Sequence, residues 1–487
     1  MAEPQSSQLT LLQTAMTAAI AGGATYAEVR SVASDEVVVA ARDGHITTHS
    51  QQHDVGWGIR VAVKGPHGLG WGFAATARWT TDAAVATARE ALAIANASLR
   101  VPGIIATLDN LPTKRGTYTT AIVRDPLQVP IAEQMDLVIA ATNAQRAASQ
   151  RIVSANATVH TWRTEKHFMN TLGADLHQTI SEVEGNIAAI AQDDSGYTYR
   201  RSYENMLQGG WEHIDALQLI SESQRIGLEA AELVVAPWVD EGPQTVVVGA
   251  DFVSLLLHES CGHPTELDRA LGWEAAFAGT SFLMPDMLNT FPYGSAHVNI
   301  TADSTTPGGL GTFGWDDEGT PAQRWDLVRD GIFVGYLSSR ESAPIIGQRS
   351  NGCGRASGWN RMPIVRMVNV SLEPQQGTLA DLIGDVEEGV YVDTPSSWSL
   401  DDKRMNFHFS GELCREIHHG KLGDYRKGAA FQSRTPTFWN SCRAVGGPES
   451  WRLRGFAQCA KGEPLQLAHV AHGASPIIVT DLPITRG

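Results

Sequence analysis

Apolar side chains along the first 236 residues recur with two different periods, and the chain switches between them several times. Stretches 8–21, 82–97, 131–149 and 214–233 space them at three- and four-residue intervals, which predicts helices with one buried face. Thr80 or Thr81 is placed to cap the second of these. Runs 26–33, 36–42, 46–50, 55–63 and 68–75 are β-rich and are separated by the turn formers Asp43-Gly44 and Gly65-Pro66. The strand pattern returns over 151–201, with turns at Gly173 and Gly196. Stretch 101–129 carries Pro and Gly with little periodicity and reads as a connection over the surface. Helices alternating with antiparallel strands predict an α+β fold, with an N-terminal domain over 1–236.

Pro237 opens a break, and a second domain is expected over 237–487. Its pattern is rich in strands, Gly and Trp: 295–301, 323–327, 332–336, 365–371, 389–393, 405–410 and 413–418 alternate, while 378–386 and 435–445 read as helices. The expectation is a large, curved antiparallel sheet, barrel-like, that carries one apolar helix fed by a strand at 245–248. No internal repeat or low-complexity tract interrupts either domain.

That apolar helix runs into the candidate chemistry, the stretch DFVSLLLHESCGHPTELDR from Asp251 to Arg269. Two histidines around a glutamate after an apolar lead are the elements of a zinc hydrolase helix, in which HExxH sets both imidazoles on one face. Here His258 and His263 are five residues apart, which at about 100° per residue leaves them roughly 140° apart on a straight helix. A regular helix fails to bring them to one ion. Gly262 tolerates unusual backbone angles and Pro264 disfavours the α region for His263, so the helix is expected to end or distort near Cys261 or Gly262.

Composition narrows the partners. The net charge of −16 over 487 residues argues against nucleic acid and anionic membranes, both of which call for a basic surface, and favours a peptide or a small amide. No Lys or Arg precedes Arg30, and 9–22 is too short and too polar for a signal core or a membrane span, so a cytoplasmic location is expected. Five scattered cysteines, Cys261, Cys353, Cys414, Cys442 and Cys459, form no disulfide framework and leave thiols free for metal.

HESCGHPTELD resembles the metal motif of the TldD/PmbA family of zinc peptidases, an HExxxH followed by an acidic E-x-D tail whose places Glu266 and Asp268 occupy. Stretch 316–343, the run NGCGRASG from Asn351, RMVNVSLEPQQG over 366–377 and GFAQCAKGEPLQ over 455–466 resemble further segments of that family. The resemblance implies a zinc held by His258, His263 and Cys459, one ion per active subunit, with Glu259 as general base. It also implies a homodimer, or a heterodimer with a related metal-free subunit, around an internal chamber. Glu266 and Asp268 are expected to orient an imidazole or close the helix end.

Other residues have plainer readings. Cys261, Cys353, Cys414 and Cys442 are expected in the core, and His418-His419, adjacent on a strand, facing solvent. Asp316-Asp317-Glu318 reads as a charged turn, and Trp57, Trp71, Trp315, Trp359 and Trp398 as core or subunit-contact material. The glycines of 308–311 and the 351–358 loop permit close approach of a substrate backbone or are plain turns. The function expected is hydrolysis of amide bonds in short or unfolded peptides. The rivals are a specialised amidase that matures one natural product or modified peptide, and a non-catalytic partner subunit.

Overall fold

The computed structural model describes residues 6–66, 68–101, 114–277 and 279–487. Helix α1 (Ser6–Ala21) leads into β1 (Tyr26–Arg42) and β2 (His45–Gly65), a hairpin turned by Asp43 and Gly44, which take φ of 49° and 82°. Two left-handed residues suit the right-handed twist of such a hairpin. Both strands run unbroken through polar stretches where the sequence pattern predicts interruptions. Ser34 pairs with Asp54 and Asp35 with His53, because the ladder satisfies the backbone whichever side chains it carries.

Strand β3 (Gly68–Thr76), helix α2 (Thr81–Ser98), β4 (Arg115–Thr119), α3 (Ile131–Ala148), β5 (Ile152–Asn170), β6 (Asp175–Gln192) and β7 (Thr198–Gln208) follow. Thr80 is the cap of α2, its hydroxyl accepting from the Ala83 N–H. The sheet order is β3-β2-β1-β5-β6-β4, with β7 also on β6. All neighbours are antiparallel except β4, which lies parallel to β6 inside the stretch read as a plain connection. Residues 102–113 of that connection lie outside the described residues. Helices α1 and α2 bury Leu12, Ala88 and Ala91 against Val29, Trp57 and Ile59. Gly72 is required there, since a Cβ would come within 2.0 Å of the Ala91 carbonyl oxygen.

The last helix of this half is two, α4 (Glu212–Leu217) and α5 (Leu219–Leu233), broken at Gln218, whose φ is 49°. Helices α3 and α5 cover the other end of the sheet, burying Val138, Ala141, Ile226 and Ala230 against Val159 and Ile187.

Beyond Pro237 the chain builds a closed ring of five strands. Strand β8 (Gly242–Val248) pairs with Glu388–Leu400 and with Ile477–Arg486. The latter pairs with Ala429–Arg434, that with Asn406–His418, and Asn406–His418 returns to Glu388–Leu400. Only the β8 pairing with Glu388–Leu400 is parallel. Closure removes the sheet edges that an open sheet of this length would expose. Helix α6 (Ala250–Leu257) leaves β8 and packs on the ring, with the Phe252 ring tilted against Phe409 and Phe431 at 6.0 and 5.3 Å. The expected helix over 435–445 is shortened to Thr435–Asn440, followed by a strand, Cys442–Val445. The expected strand over 295–301 is reduced to Ile300–Asp303. Among the described residues no helix is long and apolar enough to cross a membrane.

Buried charge joins the two halves. Asp316, Asp317 and Glu318 form the charged turn that the sequence predicts, the Gly319 N–H donating to the Asp316 carbonyl at 3.1 Å, but all three are buried. Glu318 takes a guanidinium N–H of Arg60, and Asp317 takes the ammonium of Lys166, so cations from the N-terminal sheet neutralise acids of the C-terminal half. Burial of acids without such partners is prohibitive, which is why this triplet needs the other half of the chain.

Candidate metal centre

Helix α6 does not end at the motif but widens. Residues His258–Gly262 form a π turn, in which the His263 N–H donates to the His258 carbonyl five residues back. One inserted residue converts a five-residue spacing into a single turn of helix. The two imidazoles therefore share a face, their ring centres 4.8 Å apart. The distortion arises differently from the sequence-based expectation. His263 keeps α-region angles, φ −62° and ψ −43°, ahead of Pro264, and Gly262 is also right-handed. Gly262 is needed for space, because a Cβ there would meet the Met367 sulfur at 2.1 Å. Pro264 lacks an N–H, so the wide ladder stops and a short 3-10 turn, His263–Thr265, follows.

The widened backbone is held by its neighbours. The Thr265 hydroxyl donates to the Cys261 and Gly262 carbonyls, and Tyr293 donates its hydroxyl to the Ser260 carbonyl at 2.9 Å. Trp439 donates its indole N–H to the Ser260 hydroxyl.

Cys459 arrives from strand Arg452–Lys461, at a register shift in its pairing with Gln466–Ala474. Its Sγ lies 3.7 Å from His263 Nε2. One donor atom each from His258, His263 and Cys459 falls within a 4.8 Å span, and all three residues are buried. Burial pushes the Cys459 thiol up, but the positive charge of His258, Arg366 and His263 outweighs it and holds the thiol well below its usual range. Arg366 donates to that sulfur at 3.1 Å. His258 is pushed down by burial and raised more strongly by Cys459.

Several polar groups around the trio are tied to specific partners. His263 presents Nδ1 to Glu266 at 2.9 Å, which leaves Nε2 facing the sulfur. Glu266 is fully buried and is kept ionised by Lys461, His263 and Arg269 against the cost of burial. Asp268 touches no imidazole. It holds the Lys461 ammonium at 2.7 Å, and that ammonium lies 3.5 Å from Glu266. Glu259 is also buried, yet the charges of His258, His263 and Arg404 and the N–H of Trp398 hold its carboxyl below the usual range. Trp398 donates to Glu259 Oε1 at 3.1 Å, and Arg404 Nη1 lies 3.1 Å from Oε2.

The sequence does not mark three of the site's neighbours, Trp398, Arg404 and His472, as site residues. Trp398, taken there as core or contact material, is 49% exposed and reaches the site. Arg404 sits beyond it, between strands Glu388–Leu400 and Asn406–His418, and His472 lies 2.8 Å from His258 Nδ1. No local period or motif marks any of the three. His418 and His419 are exposed, as read, and each pairs with a glutamate, Glu388 and Glu387. Cys261, Cys414 and Cys442 are buried thiols pushed up to about 12. Gly309 and Gly311 make room for Asn369 and the Val368 backbone, whereas Gly358 lines a cleft of about 470 Å³ together with Trp162, Trp359, Arg355 and Arg366. Through Arg366 that cleft borders Cys459.

Two imidazole nitrogens and a thiolate form a donor set that suits zinc, with room for water at a fourth position in catalytic sites of this kind. The ring nitrogens are turned by hydrogen-bonded partners, as metal-ligating histidines are. Among the described residues this is the one group of three or more His, Cys, Asp or Glu that converges in this way.

Comparison with known proteins gives matches along most of the chain. Residues 27–95 match the PmbA/TldA metallopeptidase domain 1, 124–236 the central domain and 241–485 the C-terminal domain. The chain is 26% identical over 471 residues to metalloprotease slr0863 of Synechocystis sp., covering 95% of each. It is 23% identical over 154 residues to a zinc metalloprotease TldD homolog of Saccharolobus solfataricus, covering 32% of this chain and 33% of that one. Among solved structures, TldE from Thermococcus kodakarensis superposes with a TM-score of 0.74 at 14% identity, covering 99% of this chain and 100% of that one.

Proposed function

The chain belongs to the PmbA/TldD metallopeptidase family, and from that membership we propose that it is a zinc peptidase that hydrolyses amide bonds in short or unfolded peptides. The observation that carries the reading is the convergence of His258, His263 and Cys459 beside a buried, ionised Glu259. A zinc ion held by the three would supply Lewis acidity to the scissile carbonyl and to the attacking water. Glu259 accepts the proton of that water and returns it to the departing amine. The Trp398 N–H and the Arg404 guanidinium hold the carboxylate ionised and aimed, ready to accept. Arg366, donating to the Cys459 sulfur at 3.1 Å, favours the thiolate that a metal requires.

The net charge of −16 favours peptide over polyanionic substrates. Fold likeness to TldE supports assembly with a related subunit or a second copy. The reading places the protein in the reducing cytoplasm, where its five unpaired thiols persist, and divides it at 236/237 into an α+β domain and a peptidase domain. The test is metal analysis of chelator-free protein with a peptide-library assay. About one zinc per chain with chelator-sensitive cleavage is expected; a zinc-free, inactive preparation that zinc does not restore overturns the reading. A zinc-loaded protein that cleaves no library peptide leaves the specialised amidase in its place.

A further inference from the structure

The hydrogen bonds around His258 define more than a ligand set. His472 is completely buried on strand Gln466–Ala474, with its Nδ1 3.0 Å from the Val370 carbonyl oxygen and its Nε2 2.8 Å from His258 Nδ1. A carbonyl only accepts, so Nδ1 of His472 carries the hydrogen. In the neutral ring Nε2 is then bare and must accept. His258 Nδ1 is consequently the donor, so when the ring gives up its second proton to bind metal its lone pair is confined to Nε2. The ring is completely buried with a carbonyl and an imidazole nitrogen as its hydrogen-bond partners and, among the described residues, no carboxylate against it, a setting that disfavours a charged ring.

We infer that His472 is a positioning residue that selects the His258 tautomer for metal ligation, the part Glu266 plays for His263; the inference rests on the zinc reading above. The two ligand imidazoles thus have unlike partners, a neutral ring and a carboxylate. The difference has an electrostatic reason. Glu259, Glu266 and the Cys459 thiolate each lie against a cation, Arg404, Lys461 and Arg366, whereas the hydrogen-bond partners of His472 are His258 and the Val370 carbonyl, so a carboxylate in its place would be buried without such a partner. A neutral imidazole fixes the tautomer without adding charge. One hairpin delivers both parts: Cys459 pairs with Ala468 and Arg454 with His472, and the Phe456 ring packs against His258 and His472 at 5.5 and 5.4 Å.

The experiment measures zinc affinity by chelator competition on the full chain, with the thiolate-to-metal absorption band of the cobalt-substituted protein as a second readout. His472→Ala and His472→Leu are expected to weaken zinc binding by about 10- to 100-fold and to shift the cobalt band. His472→Gln, whose amide oxygen accepts where Nε2 does, is expected to recover most of the affinity. Zinc affinity unchanged in H472A and H472L, or H472Q as impaired as H472A, overturns the inference while leaving the zinc reading intact. Native protein that binds no zinc overturns both. Should the variants fail to fold, ¹⁵N NMR of the native zinc-loaded protein reads the tautomers directly. Hydrogen on Nδ1 of both His258 and His472 is expected, and hydrogen on Nε2 of either overturns the assignment.

Discussion

Arg60 donates from Nη2 to Glu318 at 2.7 Å, across 258 residues of sequence, while its Nε donates to Glu28 at 2.6 Å. The guanidinium is nearly inaccessible and lies over the Trp71 ring at 4.5 Å. One cation thus serves an acid from each half of the molecule. Replacing it leaves two buried carboxylates short of a partner, which is the expensive way to break an ion pair. Arg60→Leu is expected to lose about 3–5 kcal/mol, read as a lower midpoint of urea unfolding. A midpoint equal to that of the native protein would show that the Tyr26 hydroxyl, which donates to Glu28 at 2.5 Å, and the Arg340 backbone N–H, which donates to Glu318 at 2.7 Å, suffice for the two carboxylates.

Glu259→Gln should separate binding from chemistry. The amide keeps the shape and accepts from Trp398, but it cannot take a proton. Peptide turnover is expected to fall by about 10²–10⁴-fold, with zinc content unchanged by metal analysis. Cys459→Ala is expected to lose both together.

Trp398→Phe removes the N–H donated to Glu259 Oε1 while keeping an apolar ring. With one stabilising contact gone, the carboxyl is expected to titrate at higher pH. The acidic limb of the kcat/KM profile then moves up, with little change in zinc affinity; an unmoved limb removes Trp398 from the site.

Gly262→Ala tests the packing origin of the π turn. The added methyl must displace Met367, and a loss of about 1–3 kcal/mol is expected, seen in thermal melts. Since Gly262 has right-handed angles, Met367→Ala in the same chain should relieve the clash. No relief in the double variant points to backbone strain instead.

Glu184, on β6, has its pKa raised from 4.5 to about 7, first by burial and then by Glu204. Between those values the folded chain keeps a proton that the unfolded chain releases, so stability from this group is complete below pH 4.5 and is lost as pH rises through about 7. Glu184→Gln is expected to gain on the native protein over that window, by on the order of 1–3 kcal/mol at pH 8 relative to pH 4. Urea unfolding at the two pH values checks the sign; a gap that shrinks with pH contradicts it.

Much of this architecture is local and so was written in the periods of the chain. Helices over 82–97 and 131–149, the Thr80 cap and the hairpin at Asp43-Gly44 depend on neighbours within a few residues. The five-residue spacing of His258 and His263, with its need for a distorted helix, is likewise visible in one dimension, although the π turn that meets the need is not. What surrounds those residues was decided elsewhere. His472, Trp398 and Arg404 reach the site from hairpins more than 130 residues downstream, and the charged turn at Asp316 is buried because Arg60 and Lys166 close over it. Periodicity records which face of an element is apolar. The partner of a buried polar atom follows from strand register and barrel closure, which depend on the whole chain at once.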